Sequence, residues 1–153
     1  MNGLFLKAVF AFLALPGMVA FAVPLLLLMP ATPEPFAIWG VPLIAAGSFF
    51  LLWCVREFYL AGRGTLAPWS PPQHLVVSGL YRVSRNPMYV AVMLILVGWA
   101  VGFRSRALTI YAIAVMIAFH LRVVFGEEPW LARRYGEEWV HYRLSVPRWV
   151  GRR

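Results

Sequence analysis

Hydrophobic positions fall into long runs broken by short basic or proline-rich stretches. Leu4 to Met29 is apolar apart from Lys7. At ~1.5 Å per residue it is long enough to cross a ~30 Å hydrocarbon core. Pro16 and Pro24 predict kinks. "AFA" at Ala20–Ala22 resembles a signal cleavage site, but the hydrophobicity continues through "VPLLLLM", so a retained span is expected. "PATPEP", Pro30–Pro35, predicts a rigid turn, and a second span runs from about Phe36 to Leu60. Its end brings Arg56, Glu57 and Arg63 to an interface, the first two snorkelling or paired. Gly62 to Asn86 carries Pro, Gly, Trp69, His74 and Tyr81 and is no span. Met88–Phe103 is apolar but short; "RSR" then predicts a tight turn, and Ala107–Phe125 runs back. Together they predict an antiparallel hairpin, with Gly98 and Gly102 on one helix and Ala114 and Ala118 on the other allowing close approach. The final segment, Gly126–Arg153, is amphipathic, with Trp130, Trp139 and Trp149 as expected headgroup anchors.

Composition decides the solvent. Hydrophobic residues make up 61% and charged residues 13%, against about 25% charged in a soluble domain. The expected fold is therefore a single all-α integral membrane domain with about four transmembrane helices. It divides into two N-terminal spans (1–61), a cytoplasmic connector (62–87), the C-terminal helical hairpin (88–125) and an amphipathic cytoplasmic segment (126–153). The net charge of +8 does not point to nucleic acid, because the arginines sit at the ends of apolar runs, where they meet anionic lipid. With the N-terminus cytoplasmic, only Arg104 and Arg106 fall outside, which satisfies the positive-inside bias. Cys54, the single cysteine, permits no internal disulfide and no cysteine-rich metal site.

Two stretches carry candidate chemistry. In "SRNPMY", Ser84–Tyr89, Pro87 suits the first residue of a helix with Asn86 as its N-cap. Arg85 then stands at the positive end of a helix dipole and favours an anion. The chain has no aspartate and six glutamates, four of them in "GEEPWLARRYGEEW". Glu127 and Glu128 lie at the end of the return helix, where negative charge is disfavoured unless Pro129 starts a new helix or the carboxylates are paired. A two-helix hairpin returns its end to the side where it began, so Arg85–Tyr89 and Glu127–Glu128 are expected to meet. Aromatic walls are expected from Tyr89, Trp130 and Tyr135. A ligand with a carboxylate, an amine, hydroxyls and a cationic sulfur would match: S-adenosylmethionine.

"GLYRVSRNPMY", followed after two apolar helices by "EEPWLARRYGEEWVHYRLSVPR", resembles the membrane methyltransferases of the isoprenylcysteine carboxyl methyltransferase and phospholipid methyltransferase superfamily. "RNPMY", "LVGWA" and "EEP" are similar to the phospholipid branch, and the tail to the isoprenylcysteine branch. The resemblance implies S-adenosylmethionine contacts at Arg85, Asn86, Pro87, Tyr89, Gly98, Glu127 and Glu128, with Arg85 and Glu128 as the catalytic pair. The usual Gly-x-Gly around Gly98 is not intact, and Ala91 stands where a glycine is common.

The reaction implied is methyl transfer to a lipophilic or prenylated acceptor entering from the bilayer, between the second span and the hairpin. Alignment and exclusion of water are the protein's main tasks. A carboxylate acceptor needs no base; an amine must lose a proton, with Glu128 or His141 at hand, although His141 also reads as interfacial. His120 fits packing or pocket lining. Two other readings are an NADPH-dependent membrane reductase related to the steroid reductases and a non-catalytic membrane scaffold. Loss of S-adenosylmethionine binding in Arg85→Ala or Glu128→Ala separates them.

Overall fold

The computed structural model describes residues 13–29, 35–61 and 73–151. Lys7, Arg63, Trp69 and most of "PATPEP" lie outside the described residues. Within them every regular element is helical. A π-helical stretch, Leu13–Ala22, runs into α1 (Val23–Leu28). Then come α2 (Gly40–Leu60), a 3-10 turn (Gly79–Arg82), α3 (Pro87–Phe103) and α4 (Arg106–Arg122). A π-helical turn (Val123–Glu127), α5 (Glu128–Tyr135) and α6 (Glu137–Ser145) complete the chain.

Among the described residues, two helical runs are long and apolar enough to cross a membrane, Gly40–Leu60 and Arg106–Tyr135; Pro16–Leu28 and Pro87–Phe103 are shorter. Only 22% and 17% of the most apolar windows of the two long runs are buried within the fold. Phe49 and Leu52 on α2 and Ile110 and Ile117 on α4 are more than half exposed. An outer surface this apolar is stable in lipid and costly in water. The 30-residue run from Arg106 is about 45 Å long, so its polar last third extends beyond a ~30 Å core.

α3 is the central helix. Its N-terminal residues lie near the end of α2 and its C-terminal residues near the start of α2, so the two run antiparallel. A Cβ on Gly40 would stand 2.5 Å from the Gly98 carbonyl, and one on Gly47 would stand 2.7 Å from the Ala91 carbonyl. A Cβ on Gly98 would stand 2.7 Å from Ile44 Cγ1, and one on Gly102 would collide with the Phe36 ring. The Ala37 N–H donates to the Gly102 carbonyl at 2.7 Å, tying the two ends together. The expected partner of Gly98 and Gly102 was the return helix; their partner is α2. Small-residue spacing specifies that a face approaches closely, but not which helix it meets.

α3 and α4 are joined by two residues, Arg104 and Ser105. Arg104 ends α3 in the left-handed conformation (φ 49°), and the Ser105 hydroxyl accepts from the Leu108 N–H as the N-cap of α4. The π-helical stretch and α1 lie across one face of this hairpin, where Trp99 Nε1 donates to the Ala20 carbonyl at 3.0 Å and Tyr111 Oη to the Val19 carbonyl at 3.0 Å.

Pro129 does not break the return helix. The Glu128 N–H donates to the Val123 carbonyl five residues back, and this wider turn absorbs a proline that lacks an N–H of its own. Gly136 (φ +52°) then turns the chain into α6. Trp139, Tyr142 and Val146 form a separate buried cluster. Trp139 is 3% exposed, so it is a core residue and not the expected headgroup anchor. At the far end of α2, Glu57 is buried, pairs with Arg56 at 3.2 Å and accepts from the Ser78 hydroxyl, which fastens the returning chain.

Candidate functional site

The two stretches that carry the candidate chemistry meet. Arg85 follows the 3-10 turn, and its backbone N–H donates to the Pro147 carbonyl at 2.9 Å. Its guanidinium is almost entirely buried; Nη1 donates to Glu128 Oε1 at 2.9 Å, and Cζ lies 5.3 Å from the centre of the Trp139 ring. Arg148 grips the same carboxylate through two nitrogens, Nε to Oε1 at 2.7 Å and Nη2 to Oε2 at 2.8 Å. This two-pronged geometry fixes orientation as well as charge. Burial pushes the Glu128 carboxyl up, but the hydrogen bond from Arg148 and the charges of Arg85 and Arg148 hold it below the usual carboxylate range.

Glu127, one residue earlier, reaches a different set. Its Oε1 accepts from the Tyr89 hydroxyl and from Arg122 Nε at 2.8 Å, and Arg122 Nε also lies 3.1 Å from Tyr89 Oη. The glutamates are therefore neither helix-end misfits nor caps of a new helix; they are paired. Among the described residues, the guanidiniums of Arg85, Arg122 and Arg148 thus meet these two carboxylates.

Asn86 occupies the N-cap position of α3, but its side chain makes no capping bond. Instead Asn86 Nδ2 donates to the Arg148 carbonyl at 3.0 Å, and its backbone N–H donates to Ser84 Oγ at 3.1 Å. Pro87 starts α3, as its fixed φ favours. Gly98 does not join this group. It lies nine residues beyond Tyr89, about 13 Å along α3, on the face that packs against α2.

Beside the charged cluster opens an apolar cavity of about 420 Å³ between α3 and α4. Tyr89, Phe119, His120 and Trp149 form its mouth, and Met93 and Met116 lie deeper. Tyr89 and Phe119 have ring centres 4.3 Å apart, and His120 and Trp149 stack at 6.2 Å. The expected walls Trp130 and Tyr135 pair with each other instead, at 6.2 Å, and do not line this cavity. His141 is exposed on α6.

Sequence reasoning missed Arg122, Arg148, Phe119 and Trp149 as members of this site. Arg122 lies five residues before Glu127, the spacing of a π turn, so Pro129 was the available signal. Arg148 and Trp149 arrive only through the packing of α6, which no local pattern reports.

The family model of phospholipid methyltransferases matches residues 36–138, more than half of the chain. The chain belongs to the phospholipid methyltransferase family. The match is consistent with the wider superfamily that includes the isoprenylcysteine enzymes. It spans α2 to α5 and the start of α6, and so contains Arg85, Tyr89, Glu127 and Glu128. It ends before Arg148 and Trp149. No curated protein and no solved structure matches the chain. Membership implies a membrane-associated methyltransferase, in agreement with the apolar outer faces of α2 and α4.

Proposed function

We propose that this phospholipid methyltransferase family member transfers a methyl group from S-adenosylmethionine to a lipophilic acceptor, at the junction of the charged cluster and the aromatic mouth. The carrying observation is the convergence of Arg85, Arg122 and Arg148 with Glu127 and Glu128 beside Tyr89. An amino-acid headgroup needs a cation for its carboxylate and a carboxylate for its ammonium, and this donor set offers both. When bound, the cofactor supplies a methyl group on a sulfonium, already activated for attack. Arg85 and Glu128 would act as the anchoring pair, with Glu127, Asn86 and Tyr89 completing the hold and Pro87 fixing the start of α3. The aromatic mouth favours a neighbouring cation and excludes water. For an amine acceptor, His120 on that mouth is the group placed to take a proton; Glu128, held ionised by two arginines, is a poor base.

In this reading the helical runs at Pro16–Leu28 and Pro87–Phe103 also traverse the bilayer, giving four spans. The arginine-rich ends and the site then face the cytoplasm, following the positive-inside bias. The family match favours methyl transfer over the reductase and scaffold readings. Calorimetric titration of S-adenosylmethionine into the detergent-purified protein tests this, with NADPH as control. Saturable binding is expected, lost in Glu128→Ala and absent for NADPH. Correctly folded protein that binds no S-adenosylmethionine overturns the proposal.

A further inference from the structure

A second apolar cavity, of about 290 Å³, continues the first along the hairpin. The two share Met93 and Met116, so they form one groove between α3 and α4. Val97 and Ile113 line its walls, and it reaches Val101 and Thr109 near the connecting turn. From Tyr89 to Val101 it measures about 18 Å along α3. One end opens at the charged cluster, and among the described residues its polar side chains are confined to that mouth and to Thr109, whose hydroxyl is already spent on the Ser105 carbonyl at 3.0 Å. An occupant with polar groups along its length would leave them unsatisfied. One that is apolar along its length and polar at one end would match.

The seam with α2 closes the other flank of α3, and α1 with the preceding π-helical stretch lies on the Trp99–Tyr111 side. Among the described residues the groove side is the open one. We infer that the groove holds a single hydrocarbon chain of the methyl acceptor, with the acceptor's headgroup at the Tyr89–His120–Trp149 mouth. The groove acts as a ruler along that chain, and this inference rests on the methyltransferase reading above. It places lateral access between α3 and α4. A second chain, if the acceptor has one, stays in the bilayer.

The experiment uses two photoprobes, a phosphatidylethanolamine and an S-prenyl cysteine, each with a diazirine at the chain end, added to the full-length protein in detergent. Saturable labelling of Met93, Val97 or Met116 by one probe is expected, competed by its unlabelled parent, and the probe that labels identifies the source of the chain. Ile113→Trp, which fills the groove from an exposed wall, should cut labelling about tenfold, as expected from losing contact with two or so methylenes. Leu52→Trp, equally lipid-facing but on α2, should leave it unchanged. In a transfer assay, Ile113→Trp should lose long-chain acceptors while keeping eight-carbon ones, with S-adenosylmethionine affinity unaltered. Non-saturable labelling spread equally over the faces of α2 and α4 overturns the groove, as does a loss independent of chain length. Absent S-adenosylmethionine binding with saturable groove labelling overturns the cofactor reading alone.

Discussion

Helix α3 meets its two neighbours in opposite ways. Against α2 it presents Ala91, Gly98 and Gly102, and the backbones approach until Cβ atoms added at Gly47 and Gly98 would lie 2.7–3.0 Å from atoms of the facing helix. Against α4 it presents Met93 and Val97, and a groove remains. Residue size at the contact decides between them. Lipid tails are as apolar as leucine, so helices in a bilayer are held by close contact and not by escape from water. The glycine seam therefore carries the rigidity, and the α3–α4 side, freed from that task, can hold a guest.

The largest effect should come from breaking the seam. A leucine at Gly47 would drive side-chain atoms into the Ala91 carbonyl and the Ile95 backbone nitrogen, 2.7 and 2.9 Å from the first added carbon. Overpacking typically costs ~1–3 kcal/mol, and here rigid backbone is the obstacle, so the upper end is expected. Thermal unfolding in detergent should show a clear fall for Gly47→Leu. Val101→Leu, on the groove, should stay within ~0.5 kcal/mol of the native protein. Equal destabilisation would mean that the two sides of α3 are packed alike.

A smaller effect should separate site from scaffold at Tyr89, which belongs to both. Its ring packs on Phe119, and its hydroxyl donates to Glu127. Tyr89→Phe keeps the ring and removes a bond to a charged group, worth ~1.5–3 kcal/mol. Affinity for S-adenosylmethionine should fall by about tenfold or more, with labelling of the groove by the lipid photoprobes retained. Loss of both would show that the hydroxyl shapes the groove as well as the cluster.

The helical, lipid-facing character was legible because apolar runs report their solvent directly, and Phe49, Leu52, Ile110 and Ile117 do face outward. The meeting of Arg85 with Glu128 was legible for a geometric reason: a two-residue turn leaves a hairpin no other way to return. The partner of Gly98 was not. Gly40 and Gly47 lie seven residues apart, as do Ala91 and Gly98, and these matched spacings were the available signal for the α2–α3 seam. Tertiary packing hid the rest. Trp139 looked like an interfacial anchor because it sits among charges, yet it is buried under the Arg85 guanidinium. Arg148 and Trp149 reach the site only because Tyr142 and Val146 bury their side chains, the Tyr142 hydroxyl donating to the Tyr81 carbonyl at 2.7 Å.

The smallest effect, and the one specific to the cluster, should come from acid. The folded Glu128 carboxyl titrates below its ordinary value, because Arg148 and Arg85 favour its ionised form more than burial opposes it. An unfolded glutamate titrates near ~4.3. The stabilisation is therefore fully present above that value and is lost as pH falls through the lower, folded one. Unfolding temperatures of the native protein and Glu128→Gln, measured from pH 6 to pH 3, should differ by a constant amount above about pH 5. The difference should shrink progressively as pH falls below about 4.3, since the variant has no charge left to lose. Parallel curves throughout would mean that the arginines gain nothing from the ionised carboxylate. The seam between α2 and α3 has no titrating group among its glycines, so acid should loosen the cluster around α5 and the chain end while the α2–α3 contact persists. Hydrogen exchange at pH 3.5 would show that order, with Glu128–Tyr135 losing protection before Ala91–Gly102.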